Sequence, residues 1–106
     1  MDRTATSEID RLRDVIVPMV APLGAKRIGV FGSAARGETT VESDIDILVE
    51  LKRPEERPPI GLKWFRVERE LSQALGRTVD LVSSSGLHPL IRSNVERDLV
   101  VIYDEG

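Results

Sequence analysis

The sequence predicts an α/β (α+β) fold: a single domain over residues 1–106, with a mixed four-stranded sheet and helices packed against it. Three observations predict this. Short apolar runs alternate with longer segments of helical period, in the order helix, strand, strand, helix, strand, helix, strand. A helical segment separates the second and third strands, which allows a right-handed crossover and a parallel pair, while the first two strands, joined by a loop, can pair antiparallel. The chain has 106 residues, 41% of them hydrophobic, enough for one core in one domain.

Composition also excludes classes of function. The formal net charge is −3 and charges of both signs are mixed along the chain. A general nucleic-acid binder would carry a basic face or run, so direct nucleic-acid contact is not expected. The absence of cysteine removes disulfides and thiolate metal sites and suits a reducing compartment. Asp2, Arg3, Glu8 and Asp10 charge the amino end, which shows no signal-peptide pattern. The longest apolar run is far below the roughly 18 residues of a membrane span. A cytoplasmic location without membrane contact is the expectation.

Residues 1–6 read as a loose end. The first helix is expected from Ser7, where Ser7 and Asp10 resemble a capping box, and Ile9, Leu12, Ile16 and Met19 form its apolar stripe. Pro18 should kink or end it, because proline lacks a donor and crowds the preceding turn. A turn over 20–23 closes at Gly24, and the first strand follows at 26–31. The second strand starts at Ser43. Residues 52–59, KRPEERPP, make a charged and exposed loop. Pro59 suits a first helical position, and the next helix is expected over 60–75, stopping at Gly76. Leu62, Phe65, Leu71 and Leu75 are expected on its buried stripe, with Trp64 and Val67 at the flank. The third strand is 78–82, followed by a loop over 83–87, a short helix over 89–98 and a last strand, LVVIY, over 99–103. Trp64, Phe65 and that apolar strand are either core or the face of a dimer or partner. Tyr103 reads as packing, and His88 as a helix cap rather than a base or a metal ligand.

The chemistry concentrates in residues 28–51, IGVFGSAARGETTVESDIDILVEL. On a strand, side chains two apart share a face. Asp44 and Asp46 therefore point one way, and Ile45, Ile47, Val49 and Leu51 the other. The apolar set is core. Two neighbouring carboxylates repel, so in a cleft they raise a pKa or take up a cation, and hard oxygen ligands suit magnesium. Gly32 and Ser33 stand where the first strand ends, before a single turn over 34–36. Exposed amides there, with the Ser33 hydroxyl, can seat a phosphate, and Arg36 can add a charge-assisted contact. The stretch has neither the lysine of a Walker loop nor the spaced glycines of a dinucleotide fingerprint. A third acid, Asp80, sits between Val79 and Leu81 on the strand expected to lie beside the pair. Glu38 and Glu42 read as loop charges.

Phe31, Gly32 and Ser33, followed after a loop by Asp44-Ile45-Asp46-Ile47, resemble the signature of the nucleotidyltransferase superfamily related to DNA polymerase beta. More narrowly, GSAARGETTVESDIDILV is similar to the MNT group, the minimal nucleotidyltransferases, and the likeness extends over nearly the whole chain. The resemblance implies a nucleotidyltransferase fold and a site in which Asp44, Asp46 and Asp80 hold two magnesium ions. Asp80 would also accept the proton of the attacking hydroxyl, while Gly32, Ser33 and Arg36 bind the phosphates of ATP. It further implies the antitoxin half of a HEPN/MNT pair, which transfers AMP to a hydroxyl, by likeness a tyrosine, of a cognate HEPN ribonuclease toxin. Two alternatives stand beside it. One is an antitoxin that neutralises by occlusion, for which Asp80 would not be needed. The other is a small-molecule adenylyltransferase, whose relatives carry an additional helical domain for the acceptor.

Overall fold

The computed structural model describes residues 4–35 and 44–105, with side chains from residue 8 onward. Helix α1, Thr4–Val20, leads through a short 3-10 turn at Ala21–Leu23 into strand β1, Ala25–Phe31. Strand β2 is Ile45–Leu51, helix α2 Lys63–Leu75 and strand β3 Val79–Ser83. Helix α3, Pro89–Asp98, and strand β4, Val100–Asp104, complete the chain. The four strands form one mixed sheet in the order β3-β2-β1-β4. The β2–β3 pair is parallel, and β1 is antiparallel to both β2 and β4. The expected element order and pairing are what forms.

Several bounds differ from expectation for local reasons. Helix α1 starts at Thr4, so Ser7 lies inside it and does not cap it. Pro18 does not end the helix, which continues to Val20. A proline this near the carboxyl end forfeits one backbone bond in a segment about to turn. The turn does close at Gly24, whose N–H donates to the Ala21 carbonyl at 3.0 Å. Pairing of β2 begins at Ile45, whose N–H donates to the Thr78 carbonyl at 2.9 Å, and Asp44 immediately precedes the strand. Ser43 lies outside the described residues. Helix α2 starts at Lys63 and not at residue 60, because Gly61 adopts φ 51° and interrupts any earlier helical turn.

One face of the sheet holds the main core. Ile28 and Val30 of β1 and Ile45, Ile47 and Val49 of β2 are fully buried there against Leu12, Ile16 and Val20 of α1 and Leu71 of α2. The buried stripe of α2 is not the expected one. Trp64, Val67 and Leu75 pack against the core beside Leu71, whereas Leu62 is 78% and Phe65 64% exposed. At 100° per residue, Leu62 lies half a revolution from Leu71, so both cannot face the sheet. Tyr103 packs against the same cluster, as expected. A contrast follows for stability. Val67→Ala is expected to cost about 1 kcal/mol, while Leu62→Ser stays within about 0.5 kcal/mol of the parent, read from urea midpoints at constant slope.

The second face is divided. Arg27 and Gly29 of β1 alternate with the core residues and so lie on this side. Arg27 Nε donates to Glu50 Oε2 at 3.0 Å and its Nη2 to Glu96 Oε1 of α3 at 2.8 Å. A side chain at Gly29 would run into Leu99, the residue that follows α3. Leu48 and Val95 are buried outside the main cluster. Helix α3 thus lies over this face toward the Arg27 and Glu50 end, and the ends of the strands nearest the Phe31–Asp46 pair stay open. Its first turn is capped as expected: His88 Nδ1 accepts from the Leu90 N–H at 3.2 Å. Among the described residues, no helix is long and apolar enough to cross a membrane.

Candidate active site

The open half of the second face is built from three adjacent strands in register. Phe31 pairs with Asp46 across β1 and β2, and Asp46 pairs with Asp80 across β2 and β3. Residues in register on neighbouring strands share a face about 4.8 Å apart, so Asp46 and Asp80 stand side by side. The alternation that buries Ile45, Ile47 and Val49 is what turns Asp46 toward this face. Asp44 and Asp80 are exposed, and Asp46 is half-buried between them.

Beyond Phe31 the chain turns over Gly32–Ala35. Ala34 is buried in the main core and anchors this turn. Gly32 has φ 72°, and a Cβ there would stand 2.5 Å from Asp46 Oδ2. Glycine is needed on two independent grounds: the left-handed backbone and the carboxylate against it. Ser33 is half-buried beside it. The structure therefore brings together Gly32 and Asp46 directly, with Ser33 next in the turn and Asp44 and Asp80 flanking. Arg36, Glu38 and Glu42 lie outside the described residues.

The electrostatics of the three acids are unrelieved. No hydrogen bond or ion pair to the carboxylate of Asp44, Asp46 or Asp80 forms among the described residues. Partial burial holds the Asp46 carboxyl above its usual range, and the charges of Asp80 and Asp44 push it further the same way. Among the described residues no three acidic or histidine side chains converge closely enough to make a ready ion cage. The donor chemistry still fits a hard divalent cation, since it offers carboxylate oxygens without nitrogen or sulfur. Asp44, Asp46 and Asp80 are the groups that could hold one.

Sequence reasoning missed the two side chains that fix β3. Ser72 Oγ accepts from the Val79 N–H at 3.0 Å, and Glu68 Oε2 accepts from the Leu81 N–H at 2.8 Å. These amides lie on the outer edge of an edge strand and bracket Asp80, so α2 both covers the edge and positions the third acid. A polar pair at i and i+4 on a helix gives no sign in the sequence of which strand it will meet.

A glycine turn at one strand end, set against in-register acids on the next two strands, is the candidate active site. The chain belongs to the Nucleotidyltransferase domain family, which it matches over residues 9–103, and it is an enzyme of that class. It is 44% identical over 79 residues to protein adenylyltransferase MntA of Thermococcus cleftensis, covering 74% of this chain and 76% of that one. A solved structure described as a minimal nucleotidyltransferase superposes with a TM-score of 0.72 at 37% identity, over 94% of this chain and 95% of that chain. Two toxin–antitoxin structures share the fold. One, with AMP-PNP, has a TM-score of 0.73 at 21% identity over 87% of this chain and 73% of that chain. The other, the tri-AMPylated HEPN toxin of Shewanella oneidensis in complex with its MNT antitoxin, has a TM-score of 0.64 at 18% identity over 95% of this chain and 73% of that chain.

Proposed function

We propose that this protein transfers AMP from ATP to a hydroxyl, by family likeness a tyrosine, on a cognate HEPN-domain toxin, and so acts as its antitoxin. The observation that carries the reading is the register of Phe31, Asp46 and Asp80, with Gly32 against the Asp46 carboxylate. The name of the Thermococcus relative and the toxin–antitoxin complexes among the structural neighbours support the substrate class.

Each residue has a part in the transfer. The amides of the turn at Gly32 and Ser33, with the Ser33 hydroxyl, donate to triphosphate oxygens, and Arg36 adds a charged contact. Asp44, Asp46 and Asp80 would hold divalent magnesium, which when bound would neutralise charge on the triphosphate and on the departing pyrophosphate. The acceptor oxygen forms a bond to the α-phosphorus as the bond from that phosphorus to the β-phosphate oxygen breaks. Pyrophosphate leaves, and the hydroxyl proton passes to the exposed carboxylate of Asp80. No covalent enzyme intermediate is needed, since positioning and charge stabilisation do most of such work.

The test is to incubate the chain with ATP, magnesium and the HEPN protein encoded beside it, and to weigh that protein by mass spectrometry. A gain of whole adenylyl units that chelator abolishes is expected. An unchanged mass would end the transfer reading. Neutralisation of the toxin that survives Asp44→Asn with Asp46→Asn would establish occlusion in its place.

A further inference from the structure

Asp80 stands on the least supported strand of the site. Strand β3 has five residues and forms an edge of the sheet, whereas Asp46 belongs to β2 in its interior. Ala34 anchors the Gly32 turn in the main core, and Ile45, Ile47 and Val49 anchor β2 there. In a parallel ladder, alternate residues direct their backbone groups to opposite sides of the strand. The Thr78 carbonyl accepts from the Ile45 N–H, so Thr78 and Asp80 turn inward to β2, and Val79 and Leu81 turn outward.

Both outward amides end on side chains of α2. The Val79 N–H donates to Ser72 Oγ at 3.0 Å and the Leu81 N–H to Glu68 Oε2 at 2.8 Å. The Ser72 hydroxyl in turn donates to the Glu68 carbonyl at 3.0 Å, which joins the two supports. Val79 and Leu81 are buried, so water is a poor substitute for either acceptor. Helix α2 packs on the face opposite Asp80 and reaches it only through this backbone. The tight turn after α2 ties the helix to the strand, with the Gly76 and Arg77 N–H groups both donating to the Ser72 carbonyl.

We propose that Glu68 and Ser72 are positioning residues for the acceptor step of the transfer. Through Leu81 and Val79 they hold Asp80 beside Asp46, where its carboxylate takes the hydroxyl proton, and they have no part in seating ATP. The site then consists of two halves fixed independently. The nucleotide half, on β1 and β2, is held by the core. The acceptor half, on β3, is held by two side chains of α2. The proposal rests on the transfer reading above for the role of Asp80.

The experiment measures initial rates of AMP transfer to the HEPN protein encoded beside this chain, with ATP varied. It compares the parent with Glu68→Ala, Glu68→Gln, Ser72→Ala and Val67→Ala, all well below their melting temperatures. A misplacement near 1 Å costs about 100-fold in rate, and β2 still holds Asp80 from its inner side, so Glu68→Ala is expected to lower kcat about 30-fold. Its KM for ATP should stay within about twofold of the parent value. Glu68→Gln keeps an oxygen that accepts from the Leu81 N–H and should restore kcat. Ser72→Ala should lower kcat about 10-fold with the same split from KM. Val67→Ala loses core packing from the same helix but keeps both bonds, so its melting temperature should fall while its kcat holds. Parent kcat in Glu68→Ala and Ser72→Ala would overturn the proposal. So would an equal loss of kcat in Val67→Ala, a Glu68→Gln variant no better than Glu68→Ala, or a rise in KM for ATP in place of the fall in kcat. Should Glu68→Ala fail to fold, Ser72→Ala decides by the same readings. A parent that transfers nothing ends the transfer reading and this proposal together, whereas a transferring parent matched by both alanine variants ends the proposal alone.

Discussion

Asp46→Asn is expected to lower AMP transfer by about 1,000-fold, the several kcal/mol that charge stabilisation by a held cation supplies. The same substitution is expected to raise the melting temperature of the metal-free protein. Asp46 is partly buried and lies among the charges of Asp80 and Asp44, so its ionised form is a cost in the folded state. Asparagine keeps the shape and removes the charge. With the carboxylate half-exposed and screened, roughly 0.5 kcal/mol is recovered, about 2–4 °C for a domain of this size. The pH dependence has a definite sign. The folded-state pKa lies above the unfolded value, so folding favours the protonated form. The penalty is absent below about pH 3.8, the unfolded value, and grows as pH rises through the folded-state value. The advantage of the variant should therefore be present at neutral pH and vanish in acid. Magnesium should raise the melting temperature of the parent and leave that of the variant nearly unmoved.

Gly32→Ala carries the second large effect. At φ 72° an L-residue costs about 1–2 kcal/mol, and the added Cβ would meet Asp46 Oδ2 at 2.5 Å. The turn or the carboxylate has to move. A displacement near 1 Å between reacting groups costs about 100-fold in rate, so a loss of at least that size in AMP transfer is expected. A fall of about 4–8 °C in melting temperature should accompany each kcal/mol of strain. Transfer at the parent rate would show that the turn does not need to lie against Asp46. Ser33→Ala separates the two parts of the turn: its backbone is unstrained, so its effect should fall on ATP affinity and not on stability.

Much of this architecture is legible in the residues because single periodicities dominate. Ile45, Ile47 and Val49 against Asp44 and Asp46 admit one strand register, and that register alone places Asp46 on the open face. Gly76 ends α2 with φ 66°, and Pro89 opens α3, both where local chemistry demands them. The buried stripe of α2 is not legible in the same way. Leu62, Trp64, Phe65 and Val67 put apolar groups around most of the helix, so period alone cannot choose a face. The choice is made by Glu68 and Ser72 reaching the edge of β3, contacts between residues that local pattern does not connect. Leu48, buried on the face of the acids, is likewise explained only by α3 lying over that face. Of the site, the acids and the glycine follow from spacing. The closeness of Gly32 to Asp46 needs the fold.

The central claim is that the acids around Asp46 direct adenylyl transfer onto a protein acceptor. It is tested most directly by incubating the chain and the HEPN protein with magnesium and ATP labelled at either the α- or the γ-phosphate. Label from the α-phosphate on the HEPN protein, and none from the γ-phosphate, is the expected result. Label from the γ-phosphate, or none from either, would contradict it.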